Sequence, residues 1–281
     1  MPDPGRLLTT LRQAVLAFRA TPGREGRFVQ LPVGAEVMVA GDMHGSVENL
    51  RLLLKGADLA RQPRRHLVLQ ELVHGPFRYP GGGDKSHQLL DLLAALKCQY
   101  PERIHFLLGN HELAQWQNQR IGKGDIDQND LFRDGIGEAY GAAADSIYAA
   151  YLQLFEAANA LVRTDNRVIL THSVPPARRL AAFNMEKVRR EALEPEDVAL
   201  GGWLHSLVWG RDTSAANVRA FLDKVDGDLL LSGHIPCEQG YSVPNEYQII
   251  LDALGTPACY CIFPTDGPMT HARLLEGIRV L

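Results

Sequence analysis

Ile104-His105-Phe106-Leu107-Leu108 runs straight into Gly109-Asn110-His111-Glu112. An apolar run that stops at a glycine and gives way to polar side chains reads as a buried strand feeding a turn. That turn sets an amide oxygen and an imidazole side by side at the strand end, with room for a helix to start beyond it. Open α/β sheets bind ligands outside the carboxyl ends of their strands, so chemistry is expected at this edge. Alone, the tetrapeptide is weak evidence, because a helix-capping Asn beside a surface His has the same sequence. Its weight comes from four other apolar runs that end in metal-binding side chains.

Ala35 to Ala40 is the first expected strand, followed by Asp42-Met43-His44-Gly45. Ser46 is placed to cap a helix whose apolar positions are Val47, Leu50, Leu53 and Leu54. His66 to Gln70 stops at Glu71-Leu72-Val73-His74-Gly75-Pro76, Arg167 to Thr171 stops at His172, and Asp228 to Ser232 stops at Gly233-His234. The terminal groups are therefore Asp42 with His44, Glu71, Asn110 with His111, His172, and His234, expected to converge on one edge of the sheet. Mixed carboxylate and imidazole donors suit manganese, iron or zinc, and a set of this size can hold two ions. An Asp-x-His pair on a tight turn can chelate one of them, with Gly41 and Gly45 letting the backbone turn. A single strand-end His is usually structural or simply exposed; five such groups at successive strand ends point to a di-metal site.

The remaining elements are coarser. A helix is expected over residues 5–20, an amphipathic helix over about Lys85 to Cys98, and mostly helix from 111 to 162 with a polar break between Gly122 and Asp130. Residues 177–227 mix helix and loop, with Trp203 and Trp209 packing; Tyr247 to Asp252, Ala258 to Phe263 and the last residues alternate like antiparallel strands. With 281 residues and neither a repeat nor a linker, one α/β domain over 1–281 is the simplest reading. A net charge of −4 gives no general attraction to nucleic acid or to an anionic membrane. The basic cluster Arg61-Gln62-Pro63-Arg64-Arg65 reads as a solvated loop. Cys98, Cys237, Cys259 and Cys261 form no Cys-x-x-Cys pair, which argues for a reducing cytoplasm over a disulfide framework or a structural zinc. Leu7 to Phe18 carries Arg12 and has no cleavage pattern after it, so it reads as an amphipathic helix and as neither signal peptide nor membrane span.

The ordered set Gly-Asp-x-His-Gly, acidic residue, Gly-Asn-His-Glu, His, Gly-His resembles the calcineurin-like metallophosphoesterases, and within them the phosphoprotein phosphatase group. Leu89 to Glu112, Tyr140-Gly141, Leu204 to Trp209 and Ser232-Gly233-His234 carry the likeness further, and it runs from about Val37 to Phe263. The resemblance implies a four-layer α/β/β/α sandwich with a di-metal site at strand ends. It implies that Asp42 and His44 hold one ion, that Asn110, His172 and His234 hold the second, and that Glu71 takes the bridging aspartate's place. Two ions about 3.5–4 Å apart would share a hydroxide that attacks phosphorus in line. His111 matches the family's general acid, and Glu112 braces the turn or the helix after it. Manganese is the leading expectation for both ions, with iron or zinc by the same donors.

The chain departs from the family at its second motif, Gly-Asp-x-Val-Asp-Arg-Gly, where it has Gln70-Glu71-Leu72-Val73-His74-Gly75-Pro76. Glu71 is one methylene longer than aspartate, so it can bridge only if the strand end retreats or the carboxylate changes mode. His74 stands where the family has the aspartate that orients the acid; it reads equally as a partner of His111, a further metal ligand or an exposed loop residue. A neutral imidazole would make His111 a weaker acid than a carboxylate would. The motif's phosphate-clamping arginine is missing. Arg211, where bacterial-type relatives often carry one, reads either as the substitute or as a plain surface arginine in a turn before Asp212, with Arg78, Lys85 and Arg120 behind it as candidates.

Three functions are thus in view. The leading one is a phosphomonoester hydrolase resembling protein phosphatases, acting on a phosphorylated protein or a small phosphoester. The second is a nucleotide hydrolase resembling bacterial diadenosine tetraphosphatases. The third is a pseudophosphatase that binds phosphorylated partners without turnover, supported only by the altered second motif.

Overall fold

The computed structural model describes residues 3–122 and 126–281, so part of the expected break between Gly122 and Asp130 lies outside the described residues. The strands in chain order are β1 (Arg24–Glu25), β2 (Phe28–Gln30), β3 (Glu36–Asp42) and β4 (Arg65–Gln70). They continue with β5 (Ile104–Leu107), β6 (Leu161–Arg163), β7 (Val168–Leu170) and β8 (Leu229–Ser232). The last are β9 (Tyr241–Asn245), β10 (Gln248–Leu251), β11 (Cys259–Pro264) and β12 (Ile278–Val280). They form a seven-stranded sheet, β1-β2-β6-β7-β8-β10-β9, and a five-stranded sheet, β12-β11-β3-β4-β5.

Side-chain alternation builds the layers. Val37 and Val39 of β3, Val68 of β4 and Leu107 of β5 meet Val168, Leu170, Leu229, Leu231, Ile249 and Leu251 in a core between the sheets. Met38, Ala40, Leu67, Leu69 and Phe106 point the other way, toward Leu50 and Leu53 of the helix Val47–Ala57 and Leu90 and Leu93 of the helix His87–Gln99. Ile169 and Leu230 of the second sheet join Phe221 and Leu222 of the helix Ala215–Val225. Period-two alternation with both faces covered gives the expected α/β/β/α sandwich. Ser46 caps its helix as expected, its Oγ accepting from Asn49 N–H at 3.3 Å. Among the described residues no helix is long and apolar enough to cross a membrane.

Several expectations need correction. β1 and β2 lie before Ala35, outside every expected element, and β2 runs parallel to β6, at the end of the stretch expected to be mostly helix. Strands of two or three residues are too short to show a period, and only their pairing across the chain reveals them. β9 was likewise unread, and β10 pairs parallel with β8 as well as antiparallel with β9. Consequently the strand-end side chains do not line one sheet. β3, β4 and β5 run parallel in one sheet and β7, β8 and β10 in the other, and a parallel bridge between Asp42 and Asp252 joins the two rims. Gly41 is not part of the turn: a Cβ there would stand 2.2 Å from the Leu251 carbonyl oxygen, so its bare backbone permits this bridge. Gly45, with φ +78°, does turn the chain.

The helix Pro4–Arg19 packs on the helices His87–Gln99 and Ala144–Glu156, and Phe18 reaches Phe106 of β5, with ring centroids 6.4 Å apart. Beneath it Lys97 is buried, donating to Thr21 Oγ1 (2.7 Å) and the Ile104 carbonyl (2.9 Å), with its ammonium 4.5 Å from the Phe18 ring centre. Burial first, and Arg24 second, lower its pKa to about 7. The unfolded chain therefore binds the extra proton between about pH 7 and the ordinary lysine value of about 10.4, and stability rises with pH across that window. Denaturant titrations at pH 7 and pH 9 should show a gain, at most roughly 1.4 kcal/mol per pH unit, that Lys97→Met removes. Equal slopes in both proteins would overturn the assignment.

Candidate metal centre

All six side chains expected as metal ligands meet where the parallel strands of the two sheets end. Asn110 Oδ1 lies 2.9 Å from His172 Nε2 and 2.8 Å from His234 Nδ1. Asp42 Oδ2 accepts from the His234 backbone N–H at 2.8 Å, and Asp42 Oδ1 is 3.7 Å from His172 Nδ1. Glu71 Oε2 lies 3.4 Å from His172 Nε2. The donor atoms of His44, Glu71 and His111 fall within 4.8 Å of one another. His44 Nδ1 is engaged by the Val73 carbonyl at 3.0 Å, which leaves Nε2 for a ligand.

Asp42 Oδ1, Glu71 Oε2 and His234 Nε2 are buried with no hydrogen-bond partner among the described residues. Buried polar atoms are rarely left unpaired, because each loses its hydration without recompense. Two carboxylate oxygens and an imidazole nitrogen unpaired around one cluster are a donor set that fits divalent cations. His44, Glu71, His74 and His234 also have φ of +40°, +46°, +61° and +70°. Non-glycine residues seldom adopt that region, and such strain collects where a site requires it.

Electrostatics agree with the fit. Burial first, then Asp252, pushes the Asp42 carboxyl well above the usual carboxylate range, and burial, then Glu112 and Asp42, does the same to Glu71. A bound cation would offset those penalties. Burial lowers the pKa of His44 and His172, and lowers that of His234 to about 3, with Arg211 contributing next. Neutral imidazole is the metal-binding form.

The extra methylene of Glu71 is absorbed by two features. Its φ of +46° swings it out of the strand line, and its carboxylate lies over Gly109, where a Cβ would stand 1.5 Å from Oε2. Oε1 meanwhile accepts from the His111 backbone N–H at 3.3 Å. Glu112 braces the neighbouring turn, Oε1 accepting from Leu72 N–H (2.6 Å) and Val73 N–H (3.2 Å).

His74 is buried, and both its ring nitrogens are engaged, which removes the exposed and metal-ligand readings. Its Nδ1 lies 3.0 Å from His111 Nδ1 and its Nε2 lies 2.8 Å from Gln115 Oε1. Gln115 Nε2 donates to Tyr148 Oη at 2.8 Å, which fixes the amide so that its oxygen faces His74. The network therefore assigns the His74 proton to Nε2, so Nδ1 accepts from His111 Nδ1–H and His111 Nε2 faces Glu71 Oε1 at 3.5 Å. Burial lowers the pKa of both, His74 to about 4.

Of the substitute cations, Arg78 is paired with Asp84 at 3.3 Å and Lys85 lies over the Tyr79 ring at 5.1 Å. Arg211 is exposed, makes no ion pair or side-chain hydrogen bond with a described residue, and acts electrostatically on Asp42, His172 and His234. Trp203 packs on Phe183, but Trp209 stands at the site with its ring edge-on to His234, 6.3 Å between centroids. Three further polar contributors escaped sequence reasoning. Gln70 Oε1 engages His172 Nδ1 at 3.0 Å while its Nε2 donates to the Ala40 carbonyl, fixing that ring. A glutamine ending an otherwise apolar strand is the signal it left. Gln115 follows His111 by four residues on the helix Asn110–Trp116, so helical spacing could have flagged it. Tyr148 left no local signal.

The calcineurin-like phosphoesterase family profile matches residues 35–238. A probable serine/threonine-protein phosphatase of Encephalitozoon cuniculi is 26% identical over 232 residues, 76% of this chain and 46% of that protein. The chain thus spans about half the length of that curated relative. Among solved structures, a serine/threonine phosphatase of Saccharomyces cerevisiae with similarity to human phosphatase PP5 superposes with a TM-score of 0.71 at 15% identity, covering 100% of this chain and 89% of its own. A cold-active protein-tyrosine phosphatase of a psychrophilic Shewanella gives 0.60 at 15% identity, with 92% and 83% coverage. At that identity the superpositions speak to the shared fold, while the profile speaks to kinship. The chain belongs to the calcineurin-like phosphoesterase family.

Proposed function

We propose that this chain is a metal-dependent phosphomonoester hydrolase of the serine/threonine phosphatase kind, working as one domain on a phosphorylated protein or a small phosphoester. Asp42 and His44 would hold one divalent cation and Asn110, His172 and His234 a second, with Glu71 as a further carboxylate ligand. Manganese is the first choice, with iron or zinc by the same donors. Cations bound there supply charge neutralisation of the phosphate oxygens and an activated water. The chain's own side chains do the rest. His111 Nε2 is turned toward the cluster, the position from which a proton can pass to the leaving oxygen. His74 holds the other side of that ring. Arg211 offers a free two-pronged donor to phosphate oxygens in place of the missing motif arginine. Four free cysteines suit a reducing compartment such as the cytoplasm.

The observation that carries this reading is the three unpartnered buried atoms, Asp42 Oδ1, Glu71 Oε2 and His234 Nε2, within one cluster of six ligand-type side chains. Its test is hydrolysis of p-nitrophenyl phosphate with and without manganese, beside His111→Ala. Manganese-dependent turnover that the variant impairs is the expected result. Negligible, equal rates in both proteins, repeated on phosphopeptides and diadenosine tetraphosphate, would overturn it in favour of a binding role. Preferential release of a nucleoside diphosphate would favour the nucleotide hydrolase.

A further inference from the structure

Beside the metal cluster, on the far side of Trp209, lies a groove of about 260 Å³ lined by Pro176, Arg178, Arg179, Leu200, His205 and Trp209, among others. Trp209 is the wall shared with the catalytic cluster: its ring is 6.3 Å from His234 and 5.8 Å from His205. Arg178 and Arg179 are exposed, and neither guanidinium makes an ion pair or a hydrogen bond with a described residue. Arg179 lies over Gly201, where a Cβ would stand 2.7 Å from Nη2, so the small residue leaves room for the guanidinium. Asp212, the carboxylate next to Arg211 in the chain, is taken up by Ser214 Oγ at 2.7 Å and by the Ala177 backbone N–H. With Arg211 after Gly210, unpaired positive charge thus runs from the groove to the metal-facing rim, in a chain whose net charge is −4.

We propose that this groove binds an acidic peptide flank of the substrate, its Arg178 and Arg179 taking carboxylates next to the phosphorylated residue. The inference rests on the hydrolase reading above and names its substrate class. Guanidinium forks match carboxylates in shape as well as charge. The exposed Leu200, beside them, gives an apolar side chain of the same peptide a seat. A nucleobase is less well served, because His205 already stacks on Trp209 with their planes 20° apart.

The test uses two phosphoserine peptides that differ only in glutamate or glutamine around the phosphoserine, given to the intact protein with manganese. The wild type should favour the glutamate peptide in kcat/KM by roughly tenfold, the scale of one charge-assisted hydrogen bond. Arg178→Gln combined with Arg179→Gln should bring that ratio close to one. The ratio is taken within each protein, so a general loss of activity cannot imitate the result. No preference in the wild type, or the same preference in the double variant, would overturn the proposal. If the wild type hydrolyses no phosphoester, the hydrolase reading fails separately, and fluorescence anisotropy with unphosphorylated glutamate and glutamine peptides still reads the groove. Glutamate-selective binding lost in the double variant would then support it, and binding unaffected by the substitutions would overturn it. Diadenosine tetraphosphate binding that depends on these arginines, without discrimination between the peptides, would overturn it in favour of a nucleotide.

Discussion

Asp42→Asn is expected to reduce manganese-dependent turnover by about 10³-fold or more, while making the metal-free protein harder to unfold. The two effects share one cause. Asp42 is buried; one oxygen accepts the His234 backbone N–H at 2.8 Å and the other has no hydrogen-bond partner among the described residues. In the metal-free chain that carboxylate is a burden: burial, with Asp252 and Glu112 nearby, raises its pKa well above the usual range. An asparagine keeps the oxygen that receives the His234 N–H and removes the charge, relieving a buried and unpaired group. The same exchange withdraws a negative donor from the cluster. Several kcal/mol of transition-state stabilisation would depend on cations held there, and each 1.36 kcal/mol is a factor of ten.

Thermal unfolding with and without manganese separates these effects. Manganese at 100 times its dissociation constant should stabilise the wild type by about 2.7 kcal/mol and the variant by far less. Without metal the order should reverse, with the variant unfolding at the higher temperature. A variant that is less stable without metal, yet binds manganese as the wild type does, would remove Asp42 from the ligand set.

How much of this was legible from the chain depends on the range of the interaction. The strand ends carrying Asp42, Glu71, Asn110, His172 and His234 announce themselves, because an apolar run and the side chain ending it are adjacent in sequence. The helix cap at Ser46 is equally local. What stayed hidden needed distant partners. The donors straddle two sheets because β3 and β10 meet at Asp42 and Asp252, a pairing across 210 positions (252 − 42) that no local period encodes. The tolerance of Glu71 was invisible because the room for its extra methylene is provided by Gly109, on a different strand end. His74 could not be assigned because its second partner, Gln115, lies 41 residues away and is itself set by Tyr148. Trp209 read as packing because nothing near it in sequence says that it borders His234.

His74→Asp is expected to speed hydrolysis of phosphoesters with poor leaving groups, and Gln115→Leu to slow it. In the native chain, Gln115 Oε1 accepts a hydrogen bond from His74 Nε2–H at 2.8 Å, and His74 Nδ1 accepts one from His111 Nδ1–H at 3.0 Å. The relay aims His111 Nε2 at the cluster but ends in a neutral amide, so it orients the acid without favouring its charged form. Burial lowers the pKa of His111 well below the ordinary value, so little imidazolium is present to donate at neutral pH. A carboxylate at 74 would favour that imidazolium directly. For serine phosphopeptides, whose alkoxide must be protonated as it leaves, rates should rise in His74→Asp. For p-nitrophenyl phosphate, whose leaving group departs as a stabilised anion, they should barely move. Gln115→Leu deletes the hydrogen bonds to His74 and to Tyr148 and frees His74 to place its proton on Nδ1, turning the acceptor for His111 into a donor. The loss should be roughly tenfold on the phosphopeptide, the scale of about 1–1.5 kcal/mol, and smaller on the nitrophenyl ester. Gln115→Glu should retain the acceptor and retain activity. Parallel losses on both substrates in Gln115→Leu would point to a structural role, and a slower His74→Asp enzyme on phosphopeptide would show that the imidazole at 74 is itself required.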